Sequence, residues 1–168
     1  MSDGTLLRAV RHNGWANDQL IAFCERLSPD QLGWTVPGTY GSIHETLQHL
    51  VRAEEGYLFA LNGDQPPPRG RVGPPDSGLV PLAELRDRAR TSTERMERYL
   101  ASGDDPSRRI PRPTGDSYTA GIAGAQFIHH GSDHRAHIGT ILGAHGVAGP
   151  DIDVWQYALA VGELIERA

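Results

Sequence analysis

Apolar positions recur along this chain with the 3.6-residue period of a helix, interrupted by proline- and glycine-rich stretches. Leu6, Val10, Ile21 and Leu27 predict a long first helix from about Thr5 to Leu27, with Trp15, Leu20 and Phe23 adding to its buried surface. Ser28-Pro29-Asp30 ends it in a short turn. After the loop Gly38-Thr39-Tyr40-Gly41, Ser42 and Glu45 form an S-x-x-E capping box, which opens a second helix from Ile43 to about Leu61. Ile43, Leu47, Leu50, Glu54 and Tyr57 lie near one face of that helix.

Asn62 to Pro81 reads as a long irregular connection. Pro81 then starts a third helix carrying Leu82, Leu85, Ala89, Met96 and Leu100, whose outer face of mixed charges reads as solvated surface. Asp104 to Tyr118 is predicted as loop or a short extended piece. A fourth helix spans about Thr119 to His145, with Gly146 placed to stop it and Pro150 unable to continue it. Asp151 or Asp153 caps a last helix through Trp155, Leu159, Gly162 and Ile165. No internal repeat is evident. The pattern predicts an all-α chain: one domain over residues 1–168, a four-helix bundle with an additional C-terminal helix and two long loops.

Composition mostly excludes. The formal net charge of −5 argues against nucleic-acid binding, which needs a basic footprint. Every basic residue is arginine, so lysine Schiff-base or lysine-nucleophile chemistry is impossible. Cys24 is the only cysteine, which rules out an intramolecular disulfide and a cysteine metal cluster; late in an amphipathic helix, it reads as packing. No stretch reaches the ~18 consecutive apolar residues of a membrane span, and the N-terminus lacks a basic region followed by an apolar run. A cytoplasmic location is the expectation.

One segment points to chemistry. Phe127 to Leu142, F-I-H-H-G-S-D-H-R-A-H-I-G-T-I-L, holds four of the chain's eight histidines. At about 100° per residue, with His130 at zero, His134 falls near 40°, His137 near −20° and Asp133 near −60°. Ala123, Phe127 and Ile141 share that stripe, so the three imidazoles face the core, and His129 points away. Each histidine taken alone is better explained by a hydrogen bond to a carbonyl or carboxylate. A stacked pair on an inner face favours metal ligation. A third ligand should come from a facing helix, where the second helix offers His44 and His49. His49 lies well inside the helix and is the better placed.

These residues resemble the DinB and YfiT-like superfamily of metalloenzymes. H-N-G-W-A-N-D-Q, closed by Leu20, is similar to the family's opening Y-x-x-W-A-N-x-x-L. S-I-H-E-T-L-Q-H-L-V-R-A-E-E is similar to the helix that contributes one histidine ligand, and H-G-S-D-H-R-A-H-I to the stretch that contributes two more. The likeness runs through nearly the whole chain to I-D-V-W-Q-Y. It implies a divalent-metal site, zinc or nickel first, on His49, His130 and His134. His137 and Asp133 depart from the commoner pattern; they are candidates for a fourth ligand and for orienting an imidazole.

The resemblance also implies activation of a low-molecular-weight thiol, of mycothiol or bacillithiol type, for attack on an electrophile. A metal-dependent hydrolase is the alternative, with Asp133, Glu45 or Glu54 as base. A non-catalytic stress-response metal protein is a third reading. Arg69, Arg71, Arg108, Arg109 and Arg112 are candidates for the site's mouth, with solvated loop charges as the simpler account. A homodimer is a mild expectation.

Overall fold

The computed structural model describes residues 4–63 and 78–165. Most of the connection predicted over Asn62 to Pro81, with Arg69 and Arg71, lies outside the described residues. Four long helices build the bundle: α1 (Thr5–Cys24), α3 (Ile43–Asn62), α4 (Leu82–Ala101) and α5 (Ala120–Ala144). Short helices α2 (Pro29–Leu32) and α6 (Val154–Ala160) flank it. Helices α1 and α3 each pack between α4 and α5, so the four surround one core.

The helix ends follow local chemistry. Ser42 and Glu45 make the predicted capping box: the Ser42 hydroxyl accepts from the Glu45 amide, and the Glu45 carboxylate accepts from the Ser42 amide. Gly146, at φ 72°, adopts the left-handed conformation that turns the chain out of α5. Asp153, not Asp151, caps α6 by accepting from the Gln156 amide at 2.8 Å.

Two expectations need correction and one becomes more definite. The first helix stops at Cys24, and the turn after it is a helical turn with its own Ser28–Gln31 capping box. The loop or short extended piece expected over 104–118 is an antiparallel hairpin, β1 (Arg109–Pro111) with β2 (Ser117–Thr119), which runs one residue further. The last helix ends at Ala160, short of Gly162 and Ile165. Trp155 is 67% exposed, and Tyr157 is the ring that packs on His12 and Trp15.

The core divides into two apolar clusters. One gathers Leu20, Ile21, Cys24, Leu47, Leu50, Leu85, Ile138 and Ile141, and the other Val10, Leu58, Leu61, Met96 and Phe127. Between them every long helix contributes a buried polar residue: Asn13 and Asn17, Glu54, Ser92, and Arg135. A polar layer inside an apolar core costs desolvation energy but penalises any slip of one helix along another, because a slip would strand charges in hydrocarbon. Surface ion pairs such as Arg86–Asp18 and Arg88–Glu55 tie α4 to α1 and α3, and pairs of this kind contribute ~0–1 kcal/mol each. No helix among the described residues is long and apolar enough to cross a membrane.

Candidate metal centre

The i, i+4 spacing of His130 and His134 puts both rings on one side of α5, with ring centroids 4.2 Å apart. Helix α3 brings His49 to meet them. Its Nε2 lies 3.1 Å from His130 Nε2, and its ring centroid lies 4.8 Å from that of His134. One nitrogen from each of the three rings falls within 4.8 Å of the others. His44 is engaged elsewhere: its Nε2 pairs with the Val80 carbonyl at 2.7 Å and ties down the start of α4.

Burial, and then the neighbouring imidazoles, push the His130 and His134 pKa values down to about 4; burial also lowers that of His49. Near neutral pH all three rings are therefore uncharged, the form that binds a metal. The Nδ1 atoms of His130 and His134 are buried and have no hydrogen-bond partner among the described residues. Three neutral nitrogen donors from two facing helices, with buried ring nitrogens still unsatisfied, fit a borderline divalent cation such as zinc or nickel.

His137 packs edge-on against His134 at 5.3 Å, outside the three-nitrogen cluster, and its Nδ1 is also buried without a partner. Asp133 is exposed and makes no hydrogen bond to the imidazoles among the described residues; it acts on them only through its charge. Glu45 is committed to capping α3, and Glu54 sits sealed in the polar layer. Burial raises the Cys24 thiol to about 12, so it is a packing residue. Arg108 is held by Asp104 and the Leu61 carbonyl, Arg109 by Ser117, and Arg112 by Asp116. The arginine cluster is thus largely spent on the hairpin and its approach.

Two residues that the sequence reading did not assign to the site stand beside it. Tyr40, 49% exposed, stacks on His49 at 4.0 Å and meets His134 edge-on at 5.2 Å. Tyr57 stands edge-on to His130 at 5.8 Å. Tyr57 was legible as an inward position of α3, but Tyr40 lies in a loop whose path the periodicity does not define.

The polar layer lies directly behind the histidines. Arg135, next to His134 in sequence, donates from Nη1 to Asn13 Oδ1 and Asn17 Oδ1, both at 2.7 Å. The same two asparagines donate to Glu54 Oε1 at 2.7 and 2.9 Å. Each amide thus reads a cation with its oxygen and a carboxylate with its nitrogen, linking α1, α3 and α5. The signal was present as two asparagines one turn apart on an apolar face. Gly131, next to His130, makes room for this arrangement. A Cβ there would overlap Asn13 Oδ1 and lie 2.9 Å from Arg135 Nη1. Gly131→Ala is expected to lower the unfolding free energy by roughly 2–4 kcal/mol, through overpacking and lost buried hydrogen bonds. Urea denaturation checks this, and an unchanged midpoint would contradict it.

A comparison with curated proteins gives no match. The DinB superfamily model matches residues 14–138, a span that runs from the W-A-N segment of α1 through His130 and His134 of α5. The chain belongs to the DinB superfamily.

Proposed function

We propose that His49, His130 and His134 hold a divalent metal ion, zinc or nickel, and that the protein is a metal-dependent transferase acting with a low-molecular-weight thiol. A bound divalent ion would supply Lewis acidity, lowering a thiol's pKa so that the nucleophilic thiolate forms near neutral pH. The three imidazoles would hold it as neutral donors. Tyr40, stacked on His49 and partly exposed, would shield one flank of the site.

The observation that favours thiol transfer over hydrolysis is the commitment of the candidate bases. Glu45 caps a helix, Glu54 is sealed between two asparagines, and Asp133 is exposed without a bond to the imidazoles. Metal-assisted hydrolysis gains from a base within hydrogen-bond reach of the attacking water, whereas a thiol is the more acidic nucleophile and depends less on one. Cys24 is buried with a raised pKa, so the reacting sulfur has to come from that cosubstrate. The test is consumption of monobromobimane or chlorodinitrobenzene by metal-loaded protein with mycothiol or bacillithiol. Turnover is expected only when thiol and metal are both present. Ester turnover without thiol would favour the hydrolase, and chelation that lowers Tm with no turnover in either assay would favour a structural metal.

A further inference from the structure

The side of α5 opposite the histidines carries a second feature. Ser132, Arg135 and Gly139 project about 140–200° from His130 around the helix. They line a groove of about 450 Å³ closed by Leu20 and Leu142 and by the chain segment around Ile152. His12 Nε2 holds that segment through the Ile152 carbonyl at 2.9 Å, and the ring of Tyr157 packs on His12 and Trp15. The outer wall is therefore fixed in place, and the volume lies in the usual range for a small-molecule site.

Arg135 sets what the groove can receive. The residue is only 7% exposed, and both of its hydrogen bonds leave from Nη1. The Nε–Nη2 edge, the fork that matches a carboxylate with two parallel hydrogen bonds, has no acceptor among the described residues. Unlike Glu54 Oε2, that edge is not sealed from solvent. A guanidinium ordered by two asparagines and left with one open fork at a groove calls for an oxyanion. Asp151 and Asp153 also line the groove and disfavour a dianion, while Leu20, Leu142 and Ile152 suit an apolar body.

We propose that this groove binds a small monocarboxylate with an apolar body, its carboxylate received by the Nε–Nη2 edge of Arg135. The site is separate from the histidine cluster and does not depend on metal.

Titration of nitrogen-15-labelled protein with sodium benzoate, with inorganic phosphate in parallel, tests it. The Arg135 Nε–H signal, assigned by its loss in Arg135→Lys, should shift saturably with a Kd of about 1 mM or below, and phosphate should bind at least about tenfold more weakly. Because the arginine also supports the core, the decisive variant is Gly139→Leu. A Cβ at 139 meets nothing within 4 Å, and the side chain would occupy the groove. This variant should keep its Tm and bind benzoate at least about tenfold more weakly. A linear shift without saturation, phosphate binding as tight as benzoate, or unchanged benzoate affinity in Gly139→Leu would each overturn the proposal.

Discussion

Alanine at His134 is expected to weaken zinc or nickel binding by about 10²–10³-fold while the bundle stays folded. Structural zinc sites with four ligands bind with about 10–16 kcal/mol, so one imidazole contributes roughly 3–4 kcal/mol. His134 is the most buried of the three residues, and its ring contacts are with His49, His130, His137 and Tyr40. Its Nδ1 has no hydrogen-bond partner to lose, so truncation should cost the fold little more than one partly filled cavity. His137→Ala is the matched control. That ring packs against His134 but stands outside the nitrogen cluster, so its loss should change affinity by less than about tenfold, the lower end for residues that support a ligand. Competition against a chromogenic chelator measures both. Wild-type affinity in His134→Ala, or an equal loss in His137→Ala, would refute the assignment of ligands.

The histidine site was legible because its signal is local. His130 and His134 share a helix, and the apolar residues Phe127 and Ile141 on the same stripe show which way that helix faces. His49 needed one more step, the choice of a facing helix, and its place well inside α3 was enough to prefer it over His44. The polar layer was not legible in the same way. Glu54 stood among apolar residues on one face of α3 and read as a candidate base, and Asn13 and Asn17 read as part of a motif. Periodicity tells which positions point inward, but what an inward polar group meets depends on the rotation and height of the other helices. Only the packed bundle shows that these asparagines lie between Arg135 and Glu54. The hairpin was legible only as a loop or short extended piece for a related reason: three-residue strands are too short to carry an alternating pattern.

Glu54→Gln should remove a pH dependence that the wild-type protein carries. Burial is the main cause that lifts the Glu54 pKa from 4.5 to about 7, against the lowering effects of its hydrogen bonds from Asn13 and Asn17 and of the Arg135 charge. Glu55 is the other charged neighbour and adds slightly to the rise. Glu54 Oε2 is buried without a hydrogen-bond partner among the described residues, so ionisation places part of the charge on an oxygen that receives no donor from them. With its folded pKa raised, the native state binds more protons than the unfolded chain between the two values. Stability is therefore highest below the unfolded pKa and falls as pH rises through the folded one. At 1.36 kcal/mol per pKa unit, the full loss is roughly 3 kcal/mol. Glutamine keeps an acceptor for the two asparagines and has nothing to ionise. His130 and His134, whose pKa values are lowered, contribute in the opposite sense, and their effect cancels between wild type and variant. Urea unfolding from pH 4.5 to 8, with chelator present throughout, should show the wild-type stability minus that of Glu54→Gln falling by roughly 2–3 kcal/mol across the range. A difference that stays level would mean that Glu54 ionises in the folded bundle as readily as in the unfolded chain.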